Sequence, residues 1–223
     1  MSFAEGFWEQ FEGTGDLERL KMVLDALPDE ELMLKLEAER KGRRDDYPIR
    51  AVWNSIISGV VFQHKSIESL RRELLRNGEL QQVCGFEPIK GGDAVPSKDA
   101  YSELLKKLLK YQEDIDLMFD KVVEEIRQVL PDFGKNTAID IARSSYKWAR
   151  IYKSRTAVER VNSRLDGSFM FEHHFIRGQA KMKMRMGLAL LVMVCMALAR
   201  IRMNQRELMR SLVKDVPLLK EAA

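Results

Sequence analysis

Apolar residues recur every three or four positions along the first half of the chain, which is the spacing of an amphipathic helix. The first such run begins at Asp16, a residue type that caps helices, and a later one begins at Pro48, where proline suits a first helical turn. Ser66 and Ser97 predict the caps of two further helices, and Asn77-Gly78 predicts a left-handed stop between them. The pattern therefore predicts a helical N-terminal region.

The second half of the chain follows the same pattern with one exception. A helical run over residues 115–130 ends at Pro131, and residues 136–142 then form the one segment that reads as a strand. Residues 186–199 carry no charge. This run is shorter than the roughly 18 residues that span a bilayer, and basic residues flank it on both sides. We therefore expect a buried core helix and no membrane partner.

The composition fits a folded protein that stays in the cytoplasm. Of the 223 residues, 45% are hydrophobic and 32% are charged, which is enough to bury a core. The sequence begins without the pattern of a secretory signal. Cys84 and Cys195 are far apart and lack metal-type spacing, so we expect two reduced, partly buried thiols.

Charge is distributed unevenly between the two parts of the chain. Residues 141–223 carry 17 Lys and Arg against 6 Asp and Glu, a net charge of +11, whereas residues 1–140 have a net charge of −8. A basic C-terminal third is typical of a protein with a polyanionic partner, although a solvated surface gives the same composition.

Two stretches of the chain resemble one protein family. Residues 46–54, 62–67, 70–74 and 84–86, with Val95-Pro96-Ser97 after them, resemble the N-terminal helical domain of bacterial insertion-sequence transposases. Residues 152–165 resemble the helix that brings the last catalytic glutamate of these enzymes. The family signature there is Tyr, Arg, Glu and Lys at fixed spacing. Tyr152, Arg155 and Glu159 match it, whereas Asp166 stands at the lysine position.

The resemblance covers roughly residues 16–223 and implies an RNase H-like core whose carboxylates hold Mg²⁺. It implies that Asp140, at the end of the predicted strand, and Glu159 are catalytic metal ligands, and that Tyr152 and Arg155 place phosphate beside them. Residues 141–151, however, contain no Asp or Glu and are too few for the missing strands, so the second catalytic aspartate is absent. An Arg155–Glu159 surface ion pair stays an alternative for those two residues.

The predicted fold is mainly α: an N-terminal multi-helix domain plus a helical remnant of an RNase H-like α/β catalytic core, with at most one or two short strands. We expect the N-terminal helical domain over residues 1–110, a helix and linker over 111–140, and the catalytic remnant over 141–223. Because a single strand cannot cover a helix that is apolar on every side, we expect the helix over residues 186–199 to dock on the N-terminal helices, self-associate or aggregate, with self-association favoured.

The predicted function is binding of transposon DNA without strand transfer. Basic residues at helical spacing are the candidates for phosphate contacts, with solvated faces as the alternative. They are Arg71, Arg72, Arg76, Lys106 and Lys107. Expected partners are transposon ends and a second copy or a full-length transposase. Residual strand cleavage, an inert relic and a dominant-negative DNA-binding partner that interferes with a full-length transposase are the competing hypotheses.

Overall fold

The computed structural model describes residues 15–39, 47–130, 159–169, 171 and 176–211, and these residues are mainly helical. The helices are α1 (Gly15–Ala26), α2 (Glu30–Ala38), α3 (Ile49–Val61), α4 (Ile67–Arg76), α5 (Gly78–Cys84), α6 (Lys98–Leu108), α7 (Gln112–Val129) and α8 (Gln179–Arg202). Short 3₁₀ turns lie at Pro88–Ala94, Leu109–Tyr111 and Arg206–Leu208, and a π-helical turn lies at Arg164–Ser168. No strand occurs in these ranges. The strand predicted over residues 136–142 lies outside them, as does the predicted boundary at residue 140.

Two of the predicted helix caps are confirmed. The side-chain oxygen of Ser66 accepts a hydrogen bond from the backbone N–H of Ser69 at 3.2 Å, and Ser97 does the same for Ala100 at 3.2 Å. Each serine thereby satisfies one of the N–H groups that a first helical turn leaves without a partner.

The prediction of a left-handed stop at Asn77-Gly78 is wrong. Asn77 has an extended backbone, and its side chain accepts a hydrogen bond from the N–H of Leu80 at 3.0 Å, so Asn77 caps α5 and Gly78 is the first residue of that helix. The left-handed residue is Gly85, with φ +96°, at the end of α5. Asp16 is likewise inside the first turn of α1 and does not precede it.

Helix α8 lies at the centre of the described core. It packs on α7, α1 and α3. It lies close to α7 at Gly187, where an added Cβ would lie 3.3 Å from the Cγ2 of Ile115. Its buried residues include Leu188, Leu191, Val192, Cys195 and Leu198. Helix α8 is long and apolar enough to cross a membrane, but one such helix is weak evidence for a membrane span. Of its most apolar 18-residue stretch, 61% is buried inside the protein.

This packing answers the expectation that α8 would self-associate. The helix docks on N-terminal helices of the same chain, one of the three outcomes considered, and its apolar side chains need no second copy to be buried. Helices α1, α3 and α7 bury α8 together, because helices with apolar stripes cover an apolar helix from several sides.

A buried carboxylate joins α2 to α3. Asp29 is 3% exposed and accepts hydrogen bonds from the Nε1 of Trp53 at 2.6 Å and from the Nη1 of Arg50 at 2.9 Å. The other guanidinium nitrogen of Arg50 lies 2.9 Å from the exposed Glu30. Asp29 therefore fixes the first turns of α3 against α2.

Helix α3 ends in a turn that directs the chain back over it. Gln63 has a left-handed backbone with φ +59°, and the N–H of His64 donates to the carbonyl of Gly59 at 2.8 Å while that of Gln63 donates to Val60 at 3.1 Å. This pair of bonds is the Schellman motif, which glycine usually closes. The turn places His64 beside the last turns of α3.

Candidate nucleic-acid interface

A groove with apolar walls and basic edges opens between α3, α4, α6 and α8. Its cavity volume is about 560 Å³. Its walls are formed by aliphatic side chains from all four helices, of which Ile56, Leu70, Met184 and Leu188 are buried and Val60, Ile67, Leu105 and Leu109 are half-buried. We call this feature the basic groove because of the residues along its edge.

Of the residues that the structure describes, six basic side chains line the basic groove and no acidic side chain does. They are Lys65, Lys98, Lys106, Arg177, Lys181 and Arg185. Like charges beside an apolar, low-dielectric wall reinforce one another's field, so the groove attracts anions more strongly than scattered surface charges do.

Two of the six basic side chains have carboxylate neighbours, and both contacts are exposed. Lys106 lies 2.7 Å from Glu103, and Lys98 lies 3.7 Å from Glu68. Within the described part of the chain, Lys65, Arg177 and Lys181 make no ion pair and are exposed. These three charges are therefore available to a ligand without first breaking a salt bridge.

Two further polar groups of the groove have nitrogen atoms without a hydrogen-bond partner in the described residues. His64 bonds Ser69 through Nδ1 at 3.0 Å, and its Nε2 is buried and unpartnered. Arg185 donates from Nη2 to the carbonyl of Phe169 at 3.2 Å and lies over the ring of Phe171, and its Nε is unpartnered. Burial lowers the pKa of both side chains, and for His64 the nearby Glu73 opposes that effect.

The predicted DNA-binding residues are distributed over three places. Lys106 lies in the basic groove. Arg71 is turned inward, since its Nε donates to the carbonyl of Pro96 at 2.8 Å. Arg72 and Arg76 are exposed on α4, and Lys107 is half-buried 3.9 Å from Glu39. Direct phosphate contact by these residues stays a prediction, and the position of Arg71 gives that residue a structural role in holding the loop before α6.

Most residues of the groove were not predicted from the sequence. Lys65 and Lys98 carry no signal of their own, because each stands alone in the sequence and joins the others only through packing. Lys181 and Arg185 do carry one: they lie four residues apart on α8, which places both positive charges on one side of that helix. Arg177 precedes the first residue of α8 and has no such signal.

The residues expected in a catalytic site are described only in part. Asp140, Tyr152 and Arg155 lie outside the described residues. Glu159 is exposed in a helical stretch over residues 159–163 and lines a shallow depression with Asn162, Ser163, Asp166 and Gly167.

Two carboxylates, those of Glu159 and Asp166, line this depression. Two-metal phosphoryl chemistry uses hard oxygen ligands, and the family holds Mg²⁺ with three carboxylates. Among the described residues no group of three or more His, Cys, Asp or Glu side chains is arranged to hold a metal ion. Asp140, the other predicted ligand, lies outside the described residues, and we derive no chemical step through Mg²⁺.

Comparison with known proteins adds no relative: no protein-family model, curated protein or solved structure matches the chain.

Proposed function

We propose that this protein binds DNA through the basic groove, as an incomplete member of the insertion-sequence transposase family that lacks strand-transfer activity. The family assignment rests on the resemblance at residues 46–97 and 152–165. The binding proposal rests on a separate observation: among the described residues, six basic side chains and no acidic one line a single groove.

The physical argument concerns phosphate rather than base recognition. Lys and Arg contacts to phosphate oxygens displace condensed counterions and give affinity that does not depend on sequence. Apart from the imidazole of His64, the described residues that line the groove are aliphatic, basic or small, and no Phe, Tyr or Trp ring is among them. Stacking of unpaired bases needs rings of that kind. We therefore expect the basic side chains along the edge, called the rim below, to contact the backbone of a duplex rather than to hold single-stranded bases.

The test is the salt dependence of binding to a labelled duplex of about 30 base pairs, measured by anisotropy. With log K falling by ~0.9 for each contact per unit of log salt, four to six rim contacts give a slope of roughly −4 to −5. The double variant Lys65→Ala/Lys181→Ala removes two exposed, unpaired rim charges and should reduce the slope by about two.

A matched control variant is Lys121→Ala, on α7 outside the groove, where the lysine lies 2.8 Å from Glu31. We expect its slope to equal that of the parent chain. A second variant, Arg72→Ala/Arg76→Ala, tests the exposed arginines of α4. No binding at low salt, or equal slopes for the groove and control variants, would refute the proposal and favour an inert relic.

Loss of strand transfer is tested separately on a duplex carrying a transposon end, with Mg²⁺ or Mn²⁺ present. We expect no product, because residues 141–151 offer no carboxylate to replace the second aspartate. Cleavage that disappears in the Glu159→Gln variant would show that a working site survives.

A further inference from the structure

The walls of the basic groove are more apolar than phosphate binding requires. Nine of its nineteen lining residues have aliphatic or Met side chains. Burial of such surface is favourable by roughly 25 cal/mol per Å². A DNA backbone bound to the basic side chains along the groove edge would leave the apolar walls exposed to water. An occupant that suits the whole groove must therefore be apolar on one side and acidic on the other.

One segment of this chain outside the described residues has that chemistry. Residues 1–14 contain three glutamates and no Lys or Arg. Phe3, Phe7 and Phe11 recur every four residues, so they would share one side of a helix, and Trp8 would lie next to them. The glutamates, at positions 5, 9 and 12, would lie together on the adjoining side.

We propose that residues 1–14 dock in the basic groove of the same chain, with the aromatic side chains against its aliphatic walls and the glutamates toward its lysines and arginines. The length of the segment suits this: its fourteen residues span roughly 21 Å as a helix and roughly 46 Å when extended, against a radius of gyration of about 17 Å for a chain of this length. Because it occupies the same charges as phosphate, the segment competes with DNA, and this consequence alone rests on the proposed function.

Charge distinguishes this segment from the other end of the chain. Residues 212–223 carry two lysines, one aspartate and one glutamate and contain no aromatic residue. Their balanced charge gives no attraction to a rim of six positive groups. The same segment of a second copy has the right chemistry, and the test below separates it from docking within one chain.

The direct test uses a labelled peptide of residues 1–14 and a chain that lacks them. We expect saturable binding by anisotropy that weakens with salt. A peptide with Glu5→Lys, Glu9→Lys and Glu12→Lys keeps all the aromatic residues and should bind at least about tenfold more weakly, since three exposed ion pairs are lost. In the receptor, Leu105→Asp places a charge in the groove wall and should abolish binding, whereas Leu75→Asp, at a leucine 46% exposed outside the groove, should not.

Competition is read from the intact chain. Its own segment should weaken binding of the added peptide by at least about tenfold relative to the shortened chain, because a tethered ligand acts at roughly millimolar effective concentration. The shortened chain should also bind DNA more tightly than the intact one. If it does not fold, the intact chain with Phe7→Asp replaces it as the receptor.

The outcomes distinguish the two proposals. Peptide binding without DNA binding by any chain supports the docking and refutes the proposed function. No peptide binding, or equal binding to the Leu105→Asp and Leu75→Asp receptors, overturns the docking whatever the DNA result. An intact chain that sediments as a dimer and becomes a monomer without residues 1–14 also overturns it, because the segment then docks in a second copy.

Discussion

Replacement of Asp29 by alanine should destabilise the protein strongly, although only one carboxylate is removed. The side chain of Asp29 is almost fully buried, and it is the hydrogen-bond acceptor of Trp53, which is itself 0% exposed. Without that acceptor the indole N–H stays inside the core with no partner. The variant therefore loses a hydrogen bond and keeps the desolvation cost of the donor.

The magnitude follows from the two contacts of Asp29. A buried donor without a partner costs about 1–3 kcal/mol. The lost hydrogen bond from Trp53 also had a charged acceptor, which places the cost toward the upper end of that range. The contact with Arg50 adds less, because that side chain is 39% exposed and keeps its contact with Glu30. We expect Asp29→Ala to lower the free energy of unfolding by about 3 kcal/mol, a large part of the 5–15 kcal/mol typical of a folded domain. Asp29→Asn, which keeps an acceptor for Trp53, should cost roughly half as much.

The assay is urea unfolding followed by circular dichroism, with Glu30→Ala as the matched control. Glu30 is the neighbouring carboxylate on the same arginine, but its side chain is 81% exposed, so its removal should cost less than about 0.5 kcal/mol. A double-mutant cycle of Asp29→Ala with Trp53→Phe should show coupling of at least about 1 kcal/mol. If Asp29→Ala and Glu30→Ala cost the same, the account of the buried acceptor is refuted.

Three further predictions concern the groove turn and the buried thiols. Gln63→Gly should stabilise the fold by about 0.5–1 kcal/mol, because glycine adopts the left-handed backbone of this position without the strain that a side chain causes. Asn204→Gly, at the similar φ of +58°, should stabilise the fold less, because Asn tolerates that region. A lower urea midpoint for Gln63→Gly would contradict this prediction. Burial lowers the pKa of His64 below 6.5, so the unfolded chain binds its proton first and stability should fall as pH drops from 6.5 toward the folded pKa. A His64→Gln variant should lose that part of the pH dependence, and identical profiles for both chains would disprove it. Burial raises the pKa of the Cys84 and Cys195 thiols to about 12. Neither thiol should therefore react with iodoacetamide near neutral pH until the chain unfolds. Rapid labelling of the native protein would contradict this prediction.

The local features of the fold were accessible to sequence reasoning because they depend on neighbours in the chain. Ser66 and Ser97 cap helices because a hydroxyl three residues before a free N–H accepts its bond in any context. Asn77 shows the limit: the same residue type closes one helix or opens the next, and only the start of α5 immediately after it decides which. The partners of α8 depend on packing between distant segments, which periodicity does not specify.

The candidate site was predictable only where its residues share a helix. Lys106 was singled out because of the basic run around it, and Lys181 and Arg185 could have been found from their spacing on α8. Lys65 enters the groove only because Gln63 adopts a left-handed backbone and turns the chain over the end of α3. The residue type at position 63 does not predict that turn, because glycine is the residue that usually indicates it.

The contact between α1 and α8 has a consequence for how the protein is made. The sulfur of Cys195 lies 3.8 Å from the carbonyl oxygen of Ala26, a contact between residues 169 positions apart. During synthesis at roughly 5–20 residues per second, α1 is complete many seconds before α8 leaves the ribosome. The apolar side chains of α1 and α3 that α8 covers stay uncovered until α8 is made. Contacts between residues so far apart in the sequence also form slowly in folding. The nascent chain therefore exposes the apolar faces of α1 and α3 for most of its translation.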